Sequence, residues 1–493
     1  MAIYSYSPFG FDGALVTVEV DLRSGIPATD IVGISDGAVK ETRERVQSAI
    51  RNSGLEYPSE RVLISLSPAD LKKEWAGFDL PIALGVLQKN FIENVLVMGD
   101  LDLSGAIRPV RGVHAACSTA LASDIQYAIV PTANLGEALA TGIKAIGCDT
   151  LCDAYKLPDA LSTQNIATVD SYDETITFRE PDSEYKDKIE MTEKEMLALV
   201  VGASGRFNMM VFGSPGCGKT MLMQYMQYLT PSLTEEESKS VKRIYSLAGY
   251  CNKDENKVYP PFRTPHQTAS IEGIWGGGPN CRPGEITLAH NGVLFLDEAA
   301  EFRSSVLQML RVPLENKTIT LSRAGRSTTY PANFQLLMAL NPCPCGNYGS
   351  KDKICLCSAK SVELYWKKLS GPLLDRVSIR LHIDQSEGER KEYTLEDLQS
   401  YVKHATEESR RIGTSFRDLT VEQIQEMIPV NVFERLTKIA EKYGWAGRRR
   451  FDFYRVWITI VSAFGDSEEK YFEDIDKAVE LMGNFKFPNQ ISF

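Results

Sequence analysis

No stretch of the chain approaches the roughly 20 consecutive apolar residues that a bilayer-spanning helix needs, so no membrane segment is expected. Positive charge is also in short supply. Against 65 Asp and Glu stand 54 Lys and Arg, a formal net charge of −11 over 493 residues. That balance excludes a surface that attracts nucleic acid everywhere and leaves room only for a local basic lining. The first residues, Met1 to Ser7, lack a basic segment followed by an apolar one, so no secretion signal is expected and the expected location is cytoplasmic. The 10 cysteines of so long a chain are then expected to be thiols or metal ligands rather than a disulfide framework. What the chain does have is an ordinary globular composition, 43% hydrophobic and 24% charged, and enough length for about three domains.

Gly213–Thr220 reads Gly-Ser-Pro-Gly-Cys-Gly-Lys-Thr, the G-x-x-x-x-G-K-[ST] spacing of a phosphate loop. The apolar run Asn208–Phe212 ahead of it suits a buried strand, and Met221–Leu229 behind it suits a helix. Strand, glycine-rich turn and helix start together aim backbone N–H groups and the positive end of a helix at one point. Gly213, Ser214, Pro215, Gly216, Cys217, Gly218, Lys219, Thr220 and Met221 are the candidate ATP contacts. Lys219 is placed to reach the β- and γ-phosphates, and the Thr220 hydroxyl to hold Mg²⁺. Downstream, Asn291–Leu296 reads as a buried strand ending at Asp297-Glu298. There Asp297 is expected to position Mg²⁺ through its water shell, and Glu298 to polarise the attacking water. A further strand, Phe334–Leu340, ends at Asn341, which can touch the γ-phosphate or that water.

The alternation at Leu15–Leu22 predicts a half-buried strand, Asp36 to Asn52 a helix, and Val62–Leu66, Val95–Met98 and Ala128–Val130 further strands. This is an α+β domain without a phosphate loop of its own. From about Ser162 to Lys188 the apolar rhythm gives way to an acidic linker, and Thr192-x-x-Glu195 then predicts a capping box for a helix ending at Gly202. A long Pro- and Gly-rich segment, Ser246 to Glu285, is expected to lack regular structure and to be functional. Thr318–Ser322 and Ser327–Tyr330 predict a hairpin whose basic tip is Arg323-Ala-Gly-Arg326. Cys343-Pro-Cys345 and Cys355-Leu-Cys357 form two short arms suited to a tetrahedral Zn²⁺ site, the alternative being free or buried thiols. Helices are expected from Thr394, over Val432–Tyr443, and from Arg448 to Phe464, with Arg448 able to reach back to the nucleotide.

Several stretches are distinctive: Phe262-Arg-Thr-Pro-His-Gln-Thr-Ala-Ser, the run from Pro283 to Glu298, Leu340-Asn-Pro-Cys-Pro-Cys-Gly346 and Leu369-Ser-Gly-Pro-Leu-Leu-Asp-Arg376. With Val32-Gly-Ile-Ser-Asp and Phe78-Asp-Leu-Pro-Ile-Ala-Leu84 in the first domain, the chain closely resembles the ComM/YifB family of magnesium-chelatase-like AAA+ ATPases. The resemblance implies an α/β fold with an AAA+ P-loop core, a Lon-protease-like α+β domain before it and a helical lid after it. The corresponding boundaries are 1–167, a linker at 168–188, a core at 189–385 and a lid at 386–493. It further implies a homo-oligomeric ring, a hexamer, and a DNA helicase promoting branch migration during natural transformation. A metal-chelatase motor subunit and an ATP-dependent protein remodeller are the alternatives.

In that frame Asn341 is the first sensor, Arg376 the arginine finger acting across the subunit boundary, and Arg448 the second sensor. Arg323, Arg326 and Trp275 belong to inserts facing a central channel, where they could meet DNA. Two departures stand out. Where the Lon-type fold carries its serine nucleophile the chain reads Gly77-Phe-Asp-Leu-Pro, and its lysine position falls near Ala116, so peptide hydrolysis is not expected. The lid stretch Arg455-Val-Trp-Ile-Thr-Ile-Val-Ser lacks the second basic residue and the acidic position that the family is expected to carry there, which leaves Arg449 and Arg450 as alternatives to Arg448.

Overall fold

The computed structural model describes residues 3–33, 36–68, 76–87, 94–160, 172–182, 188–250, 258–323, 326–348, 353–384, 388–465 and 470–483. Its first unit is a mixed seven-stranded sheet in the order Thr29–Val32, Arg61–Ser67, Ala14–Arg23, Ile3–Ser7, Val95–Val97, Tyr127–Pro131, Lys144–Cys148. Ala14–Arg23 pairs antiparallel with both its neighbours, while Val95–Val97, Tyr127–Pro131 and Lys144–Cys148 run parallel. Helices Asp36–Asn52 and Asp79–Leu87 cover it, so the expected α+β character holds.

Where a nucleophile was not expected, Asp79 is fully buried and accepts a 2.5 Å hydrogen bond from Arg45 Nε. Burial pushes its carboxyl up to about 7, with Arg45 opposing the rise and Asp100 adding to it. Between the unfolded value of about 4 and that raised value, the folded chain keeps a proton the unfolded chain has released. The stability from this group is therefore lost as pH rises through the window. Asp79→Asn is expected to flatten the melting temperature against pH between about pH 4 and 7; an unchanged slope in a thermal melt series would contradict this assignment.

The second unit is a five-stranded, all-parallel sheet in the order Phe262–Arg263, Val293–Leu296, Gln335–Leu340, Met209–Gly213, Ile379–Ile383. Its three central strands are buried at every position, as parallel strands covered on both faces must be. One face packs on Glu193–Gly205 and, through it, on the C-terminal helices. Thr192 and Glu195 make the predicted capping box, but the helix continues to Gly205 rather than stopping at Gly202. Met221–Leu229, expected as one helix, is two short ones, Lys219–Gln224 and Met226–Leu229.

Among the described residues five α-helices follow the sheet: Leu395–Ile412, Val421–Met427, Val430–Lys442, Arg448–Phe464 and Tyr471–Met482. The second and fifth were not anticipated. Among the described residues no helix is long and apolar enough to cross a membrane.

The linker expected at 168–188 falls partly outside the described residues. Its described part, 172–182, lies on the core, with Ser232 N–H donating to Thr177 O at 2.8 Å and Arg410 Nη1 to Glu174 O at 2.6 Å. The first unit docks on the other face of the core. Arg243 lies 4.5 Å over the Phe11 ring and donates to Phe11 O, while Phe11 N–H donates to Thr328 Oγ1.

The segment from Ser246 to Glu285 is not structureless where it is described. Beyond the end of helix Glu235–Ala248, it holds Phe262–Arg263, the turn of helix Ile271–Trp275 and a small strand pair, Gly276–Gly277 with Arg282–Pro283. Serine and glycine caps and pairing to the parallel sheet supply order that apolar periodicity does not report. Residues 251–257 of this segment lie outside the described residues.

Candidate functional site

Parallel pairing sets the site. Phe212 pairs with Leu340 and Met338 with Leu296, so the ends of three adjacent strands bring the loop after Gly213, Asn341 and Asp297 to one edge of the sheet. Gly218, at φ 93°, turns the loop into the helix that begins at Lys219, a conformation costly for any side chain with a Cβ. Lys219 is 8% exposed, and its ammonium donates to Gly213 O at 2.7 Å and Ser214 O at 2.8 Å, with Cys217 Sγ at 3.8 Å. Burial lowers its pKa, while Cys217, Asp297 and Glu298 oppose that shift.

The Thr220 hydroxyl lies 3.1 and 3.2 Å from the two Asp297 carboxylate oxygens. A hydroxyl and a carboxylate this close can share one hydrated Mg²⁺. Glu298 is exposed and sits at φ 49°, ψ 46°, a left-handed conformation sparse for a non-glycine residue, with its N–H bonded to Asp297 Oδ1 at 3.0 Å. Pro215, Gly216 and Met221 form the open crown of the loop, Ser214 is half-buried, and Cys217 is inside. Asn341 is half-buried, immediately after the buried strand Gln335–Leu340. The loop, the acidic pair and Asn341 are thus brought together, and the arrangement can hold a magnesium triphosphate and orient a water against it.

Arg376 and Arg448 are elsewhere. Arg376 precedes the strand Ile379–Ile383, and its backbone carbonyl accepts from Asn208 Nδ2 at 2.7 Å, at the end of the sheet where Met209–Gly213 begins. The length of that strand, about 15 Å, separates it from the phosphate loop. Its guanidinium is paired with Glu315 and donates to Pro372 O at 2.5 Å. Arg448 Nη2 donates to the same Glu315 at 3.2 Å.

Arg448 was expected among the ATP contacts and able to reach back to the nucleotide. Instead, the lid helix docks its N-terminus beside Arg376 and carries Arg448 away from Lys219. Arg449 caps the last helix, donating to Met482 O and Gly483 O, and so is structural. A cavity of about 280 Å³ opens beside the pair, lined also by Lys317, Arg417, Asp418 and Arg455. Sequence reasoning missed Glu315, whose two partners lie 61 and 133 residues away.

The hairpin forms as expected, with Thr318–Arg323 pairing Arg326–Pro331 and Arg323 opposite Arg326 at the tip. Arg323 is exposed, while the Arg326 side chain lies outside the described residues. The glycine-rich strand pair abuts the hairpin, since a Cβ on Gly276 would lie 3.1 Å from Leu321 Cδ1. Trp275 is half-buried, packed on the core rather than standing free. Arg282 of that pair and Arg111 of the first unit are near enough for Arg282 to add to the lowering that burial imposes on Arg111. Isolated arginines carry no motif, which is why the sequence did not mark them. The sulfurs of Cys343, Cys345, Cys355 and Cys357 lie within 4.8 Å of one another, an arrangement that could hold a metal ion.

These features agree with the comparisons. Residues 187–391 match the family model described as magnesium chelatase, subunit ChlI, and residues 18–134 match that described as subunit ChlI of Mg-chelatase. The chain is 33% identical over 483 residues to competence protein ComM of Haemophilus influenzae, covering 94% of each chain. It is 37% identical over 397 residues to the uncharacterized protein YifB of Escherichia coli, 77% of this chain and 75% of the relative. A shorter match, 26% over 148 residues, 30% of this chain and 15% of the relative, is to the DNA replication licensing factor MCM4 of Oryza sativa. Parallel sheet, phosphate loop, acidic strand end and end-to-end similarity together say what the chain is: a member of the ComM/YifB family of magnesium-chelatase-like AAA+ ATPases.

Proposed function

We propose that this ATPase works as a ring, a hexamer, whose ATP lies between two copies and whose hydrolysis drives movement on DNA. In this reading Gly213–Met221 cradle the triphosphate, Lys219 contacts its β- and γ-phosphates, and Thr220 and Asp297 hold Mg²⁺. Glu298 polarises the attacking water under the eye of Asn341. The neighbouring copy delivers Arg376, and Arg448 beside it, to the transferred phosphoryl group. The observation that carries the reading is the separation of the two arginines from their own chain's Lys219, at opposite ends of one parallel sheet. An arginine that cannot reach its own nucleotide but sits with a second cation at an open edge is suited to serve the next subunit.

DNA is the favoured polymer because the exposed Arg323 tip, Arg282 and Arg111 give a locally basic lining on an acidic protein. The names of two relatives, a competence protein and a DNA replication licensing factor, point the same way; in this reading the movement is branch migration during natural transformation, in the cytoplasm. The first unit acts as scaffold or DNA-engaging domain rather than as protease, and Cys343, Cys345, Cys355 and Cys357 hold zinc. The ChlI match favours one second reading, a motor subunit for metal insertion.

ATP turnover measured with and without single-stranded or branched DNA separates the readings. DNA is expected to stimulate turnover several-fold, and Arg323→Ala with Arg326→Ala to remove the stimulation while nucleotide binding persists. Turnover indifferent to every DNA but raised by a protein partner would contradict the DNA reading.

A further inference from the structure

We propose that the ion held by Cys343, Cys345, Cys355 and Cys357 braces the phosphate loop, so that ATP affinity depends on the metal. The inference rests on reading the four thiols as a metal site. Cys343 lies 3.4 Å from Cys345 and 3.7 Å from Cys355, and Cys345 lies 3.6 Å from Cys355, sulfur to sulfur. A disulfide would need about 2 Å, whereas one tetrahedral zinc with Zn–S bonds of about 2.3 Å sets its thiolates about 3.8 Å apart. The cluster therefore suits one divalent ion, and binding it releases the thiol protons.

The route to the loop is short. The first arm leaves the sheet at Asn341 and turns at Gly346, whose N–H donates to Cys343 O at 2.9 Å. Gly346 has φ 78°, and a Cβ placed on it would lie 2.4 Å from Pro215 Cγ and 2.7 Å from Cδ. The cysteine turn thus lies flat against the exposed crown of the phosphate loop. The second arm ends at Ser358, which caps helix Ala359–Lys367 through the Ser361 N–H. That helix returns Trp366 to the start: its Nε1 donates to Pro342 O at 3.0 Å and its ring meets Phe212 edge-on at 6.1 Å. Among the described residues this circuit is held by backbone hydrogen bonds and aromatic packing, and the four cysteines join the two arms, where an ion makes the join rigid. Removing it frees the Gly346 turn and with it the support behind Pro215.

The test uses full-length protein purified without chelator, a fluorescent ATP analogue with Mg²⁺, elemental analysis for zinc, and amide exchange over residues 213–218. Wild type is expected to carry one zinc per chain. Cys355→Ser should lose the zinc, bind the analogue about tenfold more weakly and exchange faster over the loop. Gly346→Ala should keep the zinc yet lose affinity to a similar degree, because its methyl displaces Pro215. Less than one zinc in wild type overturns the metal reading and the proposal with it. Full zinc with wild-type affinity in Gly346→Ala overturns the brace alone, and this variant decides the matter if Cys355→Ser does not fold.

Discussion

Lys219→Ala is expected to lose ATP binding and, with it, hydrolysis, lowering kcat/KM by roughly 10²–10³-fold or more. The Lys219 ammonium is already dehydrated and held against two backbone carbonyls of the loop, Gly213 O and Ser214 O. A triphosphate offers it stronger, charged partners over a small movement, so the cost of stripping its water is met before the ligand arrives. Alanine removes both the charge and the hydrogen bonds to Gly213 O and Ser214 O that order the loop. Glu298→Gln should behave differently. Its amide cannot accept a proton from water, but the backbone at φ 49° and the Thr220–Asp297 contact are untouched. That variant is expected to bind ATP with near wild-type affinity and to stall with it bound. Equilibrium binding beside steady-state turnover checks both; Lys219→Ala turning over like wild type would contradict the assigned pocket.

Arg376→Ala is expected to bind ATP normally and to lose kcat by roughly 10³-fold or more, the effect of removing a finger that neutralises the transferred phosphoryl group. The geometry fixes the direction. The guanidinium is beyond reach of its own chain's nucleotide, so KM for binding has no reason to change, whereas the step completed by the next copy does. In the single chain Arg376 and Arg448 share Glu315, a carboxylate standing where two cations would otherwise repel. Arg448→Ala is expected to lower kcat more than it raises KM, though less than Arg376→Ala, since Arg448 stands beside the finger rather than acting as it. A rise in KM with kcat unchanged, in either variant, would return that arginine to its own pocket.

Much of the fold's chemistry was legible because it is local. Gly-Ser-Pro-Gly-Cys-Gly-Lys-Thr contains its own turn, cation and hydroxyl within eight residues, and the capping boxes at Thr192/Glu195 and Thr394/Asp397 need only a spacing of three. The same rule applies at Thr234/Glu237, which caps the unassigned helix Glu235–Ala248. That signal was in the sequence, next to a glycine- and proline-rich stretch that masked it. What could not be read is where separate elements dock. The order of parts puts a basic triplet after the core, but only packing of helix Arg448–Phe464 decides which end of the sheet Arg448 meets. Glu315 is invisible for the same reason, since its role comes from partners that only the folded chain brings together. The four cysteines showed their spacing, whereas the contact of Gly346 with Pro215 belongs to the folded chain alone.

The composite ATP site is tested most directly by mixing two inactive variants, Glu298→Gln and Arg376→Ala, and measuring ATP turnover across ratios. Where an Arg376→Ala chain, with its own Glu298 intact, meets a Glu298→Gln neighbour that still carries Arg376, one complete site forms. Turnover is therefore expected to reappear and to peak at intermediate mixtures. Silence at every ratio, with both variants still assembling and binding ATP, would contradict an arginine shared between copies.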